Sequence, residues 1–360
     1  MFLECKNNFL SVKKMLDLPV KTPIHSINSN IHPLLILGSS SCSELIKNIC
    51  SSIEIEPGIP ETKPFTNGEV MVRMVDDVRG KDVFVIVSLC RQHIANEYGY
   101  TGINDCLMEL LIFGDTLRRA SAHRITAVIP HFGYARQDRK AAGRTPITAR
   151  LVADLIVQAG FDRVLTMDLH ADQIQGFFPR QVPLDHLNAG QLFANHFNSL
   201  NLKNAVVLSP DVGNLKKADK YRRGFSPDVD IAVIDKVRDP KTGEIISRKI
   251  IGDVEGKTAI LLDDIISTAR TMRKAIDVAY DHYGVKEFYI GATHGEFVGD
   301  AVEQLKHPAI KQICITDTIR ILPKMKELPL HVLPTCELFG DAILRIHRCK
   351  SISELLGKYG

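Results

Sequence analysis

The stretch that decides the fold is TAILLDDIISTART, residues 258–271. A short apolar run leads to two adjacent carboxylates, Asp263 and Asp264, and a hydroxyl-rich turn then leads into a helical segment. In an open α/β sheet, ligands bind beyond the carboxyl ends of the strands, where these carboxylates fall. Carboxylates accept hydrogen bonds from sugar hydroxyls, and backbone N–H groups at a helix start bind phosphate. The stretch favours a sugar phosphate ligand; the alternative, that Asp264 and Ser267 only cap the helix, stays open.

Apolar runs alternate with helix-period segments along most of the chain, which predicts an α/β protein with mainly parallel sheets. Nine strands are predicted, at residues 34–37, 83–88, 125–129, 164–167, 205–208, 231–234, 259–262, 288–293 and 312–316. Helices are predicted between Thr145-Pro146 and Gly160, and over residues 271–283 before Gly284. Loops are predicted at 91–103 and 239–244, and a loop or hinge between two α/β halves at 179–188.

Composition narrows the class of protein. A length of 360 residues predicts two domains, and 45% hydrophobic with 24% charged residues is typical of a folded chain. The net charge of +3 does not favour a nucleic-acid binder, and the sequence contains no apolar run of about 18 residues that would span a membrane. Eight scattered cysteines predict free thiols in a reducing cytoplasm. Residues 1–30 are interpreted as an extension of unknown role, with a targeting peptide left open.

Further candidates follow other predicted strands. Asp168 and His170 are two residues apart, so on an extended chain they would share a face and approach one ligand or metal ion, although such a pair is also common as a simple hydrogen bond. Asp211 follows the strand at 205–208, in a loop suited to a divalent cation.

Two basic clusters are candidates for contacts with a polyphosphate. One comprises Arg136, Arg139, Lys140 and Arg144, and the other Lys236 and Arg238. Cations in strand-end loops are suited to closing over such a substrate, while a solvated charged surface is the alternative. Neither GxGxxG nor GxxxxGK[ST] occurs, which disfavours a Rossmann dehydrogenase and a Walker-type NTPase.

Together these stretches resemble those of the class I ribose-phosphate pyrophosphokinases. The similarity runs from about residue 33 to 353, through FTNGE at 65–69, NDCLMEL at 104–110, YARQDR at 134–139, DLHA at 168–171, QIQGFF at 173–178, SPD at 209–211 and IIGDV at 250–254. The resemblance implies two tandem phosphoribosyltransferase-like domains with mainly parallel sheets, at 33–186 and 187–346, an N-terminal extension at 1–32 and a C-terminal tail at 347–360.

The activity implied by the resemblance is a Mg²⁺-dependent transfer of the β,γ-diphosphate of ATP to the 1-hydroxyl of ribose 5-phosphate. The products would be phosphoribosyl pyrophosphate, for nucleotide biosynthesis, and AMP. The resemblance also implies a homo-oligomer in which the adenine-binding loop is shared between subunits.

The resemblance assigns roles to individual residues. Catalytic roles fall to Lys236 and Arg238, and metal binding to His170 and Asp211. ATP binding falls to Phe65, Asn67, Gly68, Glu69, Arg136 and Gln137. Ribose 5-phosphate binding falls to Arg238, Asp263, Asp264, Ser267, Thr268, Ala269, Arg270 and Thr271.

The chain departs from the family pattern at the phosphate loop. The usual loop is DDxxDTxGT, but Ser267 replaces its third aspartate and Arg270 its glycine, and Pro179 replaces an acidic residue after the Phe-Phe pair. An arginine here either strains the loop and crowds the phosphate or grips the phosphate itself. The departures motivate an alternative, a catalytically impaired homologue that regulates an active synthetase. A phosphoribosyltransferase acting on a base is a third interpretation, which leaves the 65–69 loop unexplained.

Overall fold

A computed structural model describes residues 32–96, 99–225, 229–238 and 245–355. The chain divides into Met1–His32 and a compact unit, Pro33–Gly360, to which almost all the described residues belong. Of the predictions above, the extension at 1–30 and the turn at 239–244 lie outside the described residues.

The described residues in the first part of the compact unit form nine strands and three α-helices. In chain order they are β1 (Leu34–Gly38), α1 (Ser43–Ser52), β2 (Pro60–Pro64), β3 (Val70–Met74), β4 (Asp82–Ile86), β5 (Gln92–Asn96), β6 (Gly99–Thr101), α2 (Ile103–Arg119), β7 (Arg124–Ile129), α3 (Thr148–Gln158), β8 (Arg163–Met167) and β9 (Leu184–Leu187). Five of these strands form a parallel sheet in the order β1-β4-β7-β8-β9, and β2-β3 and β5-β6 are separate antiparallel hairpins.

In the second part, the residues that the structure describes form seven strands and five α-helices. They are α4 (Gly190–Ser199), β10 (Ala205–Ser209), α5 (Leu215–Arg222), β11 (Asp230–Arg238), β12 (Ile245–Ile251), β13 (Thr258–Ile266), α6 (Arg270–Tyr283), β14 (Glu287–Gly295), α7 (Ala301–Gln304), β15 (Ile310–Thr316), β16 (Leu330–Leu333) and α8 (Cys336–His347). The sheet order is β12-β11-β10-β13-β14-β15-β16, with only β12 antiparallel to its neighbour. Short 3₁₀ helices lie at Ser40–Cys42, Asp172–Phe177, Val212–Asn214 and Pro323–Glu327.

The central strands are buried because their apolar runs are covered on both faces, as parallel sheets require. All five residues of β4 are buried, and α6 covers the second sheet with Met272, Ala275, Ile276 and Ala279 before it ends at Gly284, whose φ is 67°. One hydrophobic cluster joins strands of both sheets to α8: it contains Phe84, Leu262 and Phe339. The two sheets therefore share part of their core.

The predicted fold class and all nine predicted strands are confirmed. The domain boundaries at 33–186 and 187–346 stay a prediction. Among the described residues, no helix combines the length and apolar character needed to cross a membrane. The seven cysteines that the structure describes are free thiols.

Three local predictions are wrong. The segment 91–103 forms the hairpin β5-β6 and not only a loop, and 179–188 contains β9, which pairs with β8 as the edge strand of the first sheet. Thr145 does not cap the helix that follows it. Its hydroxyl donates to the carbonyl of Ala142, and α3 begins at Thr148. In the first two segments, strand pairing outweighs a composition that favours a loop. In the third, the hydrogen bond of Thr145 within a local turn replaces the helix cap.

Candidate active site

The acidic pair lies at the carboxyl end of the central strand β13. Asp264 is buried, and each of its carboxylate oxygens faces a cation-forming group: Oδ2 is 2.8 Å from Nδ1 of His170, and Oδ1 is 3.0 Å from Nζ of Lys217. Asp263 is partly exposed, and its Oδ1 accepts a hydrogen bond from the backbone N–H of Asp264 at 2.8 Å. Of the two carboxylates, Asp263 is therefore the more accessible to a ligand.

The two carboxyl groups have opposite protonation preferences. Burial alone would raise the pKa of Asp264, but the hydrogen bond from His170 and the Lys217 ammonium hold that pKa well below its usual range. Burial and the charge of Asp264 raise the pKa of Asp263 to about 7. This divergence within one pair is a feature of functional sites.

His170 reaches the pair from the first sheet, just after β8. Its hydrogen bond to Asp264 raises its pKa, while burial and the charges of Lys217 and Arg136 oppose protonation. The site thus forms where the carboxyl ends of the two sheets meet.

Asp168 does not share a face with His170. Its backbone is left-handed, with φ of 39°, and this breaks the extended geometry that the sequence prediction assumed. Its carboxylate points inward and accepts hydrogen bonds from Asn188 Nδ2, the backbone N–H of Ala189 and the Thr293 hydroxyl. The interpretation of Asp168 and His170 as joint ligands of one metal ion is therefore wrong.

The loop at 267–271 connects β13 to α6. Its left-handed residue is Ala269, with φ of 58°, while Arg270 is the first residue of the helix. The Arg270 guanidinium lies 3.3 Å from Oδ1 of Asp300. The side chains of Thr268 and Thr271 are exposed, and Ser267 is partly exposed. The backbone strain expected at Arg270 is therefore found at Ala269. The side chain of Arg270 contacts the carboxylate of Asp300.

Asp211 lies in the loop after β10, as predicted. Its Oδ1 accepts a hydrogen bond from the N–H of Asn214 at 3.0 Å and thereby caps a short 3₁₀ helix.

Lys236 and Arg238 lie on β11, where the backbone pairs them with Arg248 and Ile245 of β12. Both residues therefore belong to a strand, where a strand-end loop was expected.

The predicted ATP residues occupy two places in the first half. Residues 65–69 form the tip of the β2-β3 hairpin, where the N–H of Phe65 donates to the carbonyl of Glu69 at 2.7 Å and Gly68 has a φ of 90°. The Phe65 side chain is 49% exposed, so its ring is available to a partner. Gln137 follows β7 and accepts a hydrogen bond from the Thr148 hydroxyl.

The protein groups suit a magnesium ion that arrives with a substrate. Within the described residues, no three His, Cys, Asp or Glu side chains form a cluster able to hold a metal. Mg²⁺ keeps several waters and binds through one or two carboxylates plus substrate phosphates, so a complete protein cage is not required. His170 and Asp211 stay the predicted members of such a partial set.

Two residues of the site, Lys217 and Thr293, were not predicted from the sequence. Lys217 lies four residues before the buried Tyr221 on α5, so helical spacing places it on the inward face of that helix. Thr293 is a completely buried residue of β14, and its apolar surroundings gave no indication that its hydroxyl meets Asp168.

The fold contains two α/β sheets, and the central strand β13 ends in an acidic pair followed by the hydroxyl-rich loop 267–271. These features define a phosphoribosyltransferase-like class of protein. Comparison with known proteins specifies the family. Residues 34–160 match the model of the N-terminal domain of ribose phosphate pyrophosphokinase, and residues 239–357 match the phosphoribosyl synthetase-associated domain.

Curated relatives cover nearly the whole chain. A ribose-phosphate pyrophosphokinase of Caldanaerobacter subterraneus is 45% identical over 323 residues, covering 89% of this chain and 97% of the relative. The Fusobacterium nucleatum protein of that name is 43% identical, covering 91% of this chain and 99% of the relative. The crystal structure of phosphoribosylpyrophosphate synthetase from Mycobacterium smegmatis matches with a TM-score of 0.79 and 36% identity, over 88% of this chain and 99% of that one. The chain belongs to the ribose-phosphate pyrophosphokinase family and is a transferase.

Proposed function

We propose that this protein transfers the β,γ-diphosphate of ATP to the 1-hydroxyl of ribose 5-phosphate, with phosphoribosyl pyrophosphate and AMP as products. The observation that carries the proposal is the meeting of His170, from the first sheet, with the Asp263-Asp264 pair of the second. A site built from both sheets can bring two substrates together, as diphosphate transfer requires.

The second sheet binds the ribose 5-phosphate. Asp263, with one oxygen held by a backbone N–H and a partly exposed side chain, accepts hydrogen bonds from ribose hydroxyls. Asp264 contributes its fixed negative charge beside them. The 5-phosphate binds in the loop of Ser267, Thr268, Ala269, Arg270 and Thr271, where hydroxyls and the first backbone N–H groups of α6 are available.

The first sheet and the β11-β12 ribbon supply the ATP side. Arg136 and Gln137 bind the nucleotide, and the tip formed by Phe65, Asn67, Gly68 and Glu69 binds adenine. Lys236 and Arg238, the proposed catalytic residues, neutralise the charge that develops on the transferred diphosphate. Arg238 also contacts ribose 5-phosphate.

Magnesium is the proposed cofactor. His170 and Asp211 would hold the ion together with substrate phosphate oxygens. Bound Mg²⁺ supplies charge neutralisation on the polyphosphate. Because His170 already shares a hydrogen bond with Asp264 through Nδ1, its Nε2 is the nitrogen left to face the ion.

A homo-oligomer is part of the proposal, since the hairpin tip at 65–69 projects an exposed phenyl ring that would enter the site of a neighbouring subunit. The free cysteines support a reducing cytoplasm as the location. The catalytically impaired homologue is not favoured, because the relatives that match most of the chain carry the name of the enzyme itself.

The test is release of AMP by the purified protein with Mg²⁺ and ATP, in the presence and absence of ribose 5-phosphate. We expect AMP only when the sugar phosphate is present, and a large loss of rate in Lys236→Ala. Lys249→Ala is the matched control, since Lys249 is an exposed lysine on the paired strand β12. Equal rates in wild type and Lys236→Ala would contradict the assignment of Lys236.

A further inference from the structure

Asp168 has a backbone conformation that side chains with a Cβ rarely adopt. It directly follows β8, and its φ is 39°. A non-glycine residue in this region is strained and persists only where the surrounding structure over-determines it. The groups that surround Asp168 fix its backbone conformation, and they come from both sheets.

The edge strand β9 holds the backbone of the turn. The N–H of Asp168 donates to the carbonyl of Leu187 at 3.0 Å, and the N–H of Leu169 donates to Nε2 of His186 at 2.8 Å. These two bonds fix consecutive peptide groups on either side of the strained residue.

The carboxylate of Asp168 is held by three donors. Oδ1 accepts from Nδ2 of Asn188 at 2.7 Å, and Oδ2 accepts from the N–H of Ala189 at 3.1 Å and from the hydroxyl of Thr293. Asp168 is 3% exposed and Thr293 is completely buried. The hydroxyl bond therefore crosses, away from water, from β14 of the second sheet to the first.

A second side chain of β14 reinforces this crossing. Nε2 of His294 lies 3.2 Å from the carbonyl oxygen of Met167 and 3.3 Å from that of Asp168. Since a carbonyl oxygen can only accept, Nε2 of His294 donates to these carbonyls, and Nδ1 lies 3.0 Å from the hydroxyl oxygen of Thr318. Two consecutive residues of β14 thus bind the end of β8.

We propose that Asp168 is a positioning residue whose carboxylate, held by Thr293, locks the left-handed turn that aims His170 at Asp264. The inference rests on the proposed function, because it states how His170 is brought to the site. The relevant geometry is the 2.8 Å separation of His170 Nδ1 and Asp264 Oδ2, only two residues beyond the strained position. If the turn relaxed to an extended backbone, the direction of the imidazole would change.

The test compares Thr293→Val with Thr166→Val. Both threonines are completely buried and each donates one hydroxyl hydrogen bond, but that of Thr166 goes to the carbonyl of Ile129 and does not touch Asp168. We expect Thr293→Val to lower kcat about 10-fold or more, the scale of a misplaced catalytic group. The KM for ribose 5-phosphate should stay within about twofold, since the phosphate loop is untouched. Thr166→Val should keep the wild-type kcat, and Thr293→Ser, which retains the hydroxyl, should restore it.

A double-mutant cycle separates positioning from general stability. If Thr293 acts through His170, then Thr293→Val adds no further loss of kcat in a His170→Ala background. The proposal would be overturned if the two substitutions lowered kcat by independent factors that multiply. It would also be overturned if Thr293→Val and Thr166→Val lowered kcat equally.

Hydrogen exchange tests the same turn without any activity. The amides of Asp168 and Leu169 should exchange faster in Thr293→Val than in Thr166→Val, because only the first variant unlocks the turn. Unchanged exchange would overturn the proposal even for an active enzyme. The two proposals can fail separately. If the wild-type protein made no AMP but Thr293→Val still exchanged faster than Thr166→Val, the positioning of the turn would stand and the proposed function would be rejected.

Discussion

His170 and Asp264 meet across the two sheets, with Nδ1 of the imidazole 2.8 Å from Oδ2 of the carboxylate, although 94 positions separate them in the chain. Lys217 occupies the other oxygen of Asp264 at 3.0 Å. A buried carboxylate held by two cation-forming groups keeps its negative charge, whereas the adjacent Asp263 is pushed toward the protonated form. This arrangement underlies the first two predictions.

Lys217→Ala is expected to destabilise the protein more than Lys216→Ala does. The first change removes one of two cations from the buried Asp264, and the second removes an exposed neighbour on the same helix. We expect a loss of about 1–3 kcal/mol in the free energy of unfolding for Lys217→Ala, measured by urea denaturation. Equal effects of the two substitutions would contradict the clamp on Asp264.

The pH dependence of stability should contain a contribution from Asp263. Its pKa is raised to about 7 in the folded protein, first by burial and then by Asp264, against about 3.9 in the unfolded chain. Between pH 4 and pH 7, approximately, the folded state therefore binds more protons at this site, and the free energy of unfolding falls as the pH rises.

Asp263→Asn is the control for that pH dependence. Comparing urea denaturation of wild type and Asp263→Asn across this range, we expect the stability of wild type relative to the variant to decline with rising pH. A difference between the two proteins that does not change with pH would show that Asp263 titrates normally.

Arg124→Ala should cost far more stability than Arg119→Ala. The Arg124 guanidinium binds both carboxylate oxygens of the buried Asp82, and His347 of α8 approaches the same carboxylate at 2.8 Å. Removing the guanidinium leaves the buried carboxylate with His347 as its remaining charged partner, which should cost about 1–3 kcal/mol. The pair of Arg119 with Asp115 lies on the surface of α2, so its loss should be barely measurable. Thermal unfolding of both variants is the measurement, and similar melting temperatures would contradict the structural role of Asp82.

Thr126→Val should stabilise the protein. Thr126 on β7 is completely buried, and none of the described residues gives its hydroxyl a hydrogen-bond partner. Replacing an unsatisfied hydroxyl by a methyl group should gain about 1 kcal/mol. Thr166→Val, which loses a made hydrogen bond on the neighbouring strand, should have the opposite sign in denaturant unfolding. A loss of stability in Thr126→Val would reveal a partner for the hydroxyl.

The sequence was sufficient for the central strands and for the acidic pair. A strand buried on both faces is a continuous apolar run, and β13 ends in two carboxylates followed by a hydroxyl-rich turn, so the pattern is local. Edge elements were harder to predict. The strand β9 carries Asp185 and His186 and is held in the sheet by its pairing with β8, which no local pattern reports.

The contacts that complete the site come from pairings distant in sequence. Thr293 meets Asp168 only because β14 lies against the end of β8 in the folded protein. The contact of Arg270 with Asp300 and the left-handed conformation of Ala269 were likewise not predictable, because both depend on the turn adopted before α6.

A product balance of a single reaction, followed by ³¹P NMR, decides whether the diphosphate is transferred as one unit. With Mg²⁺, ATP and ribose 5-phosphate, we expect equal amounts of AMP and phosphoribosyl pyrophosphate and no ADP. Formation of ADP with a sugar bisphosphate, in which ribose 5-phosphate has gained a single phosphate, or no turnover that depends on ribose 5-phosphate, would contradict the proposed transfer.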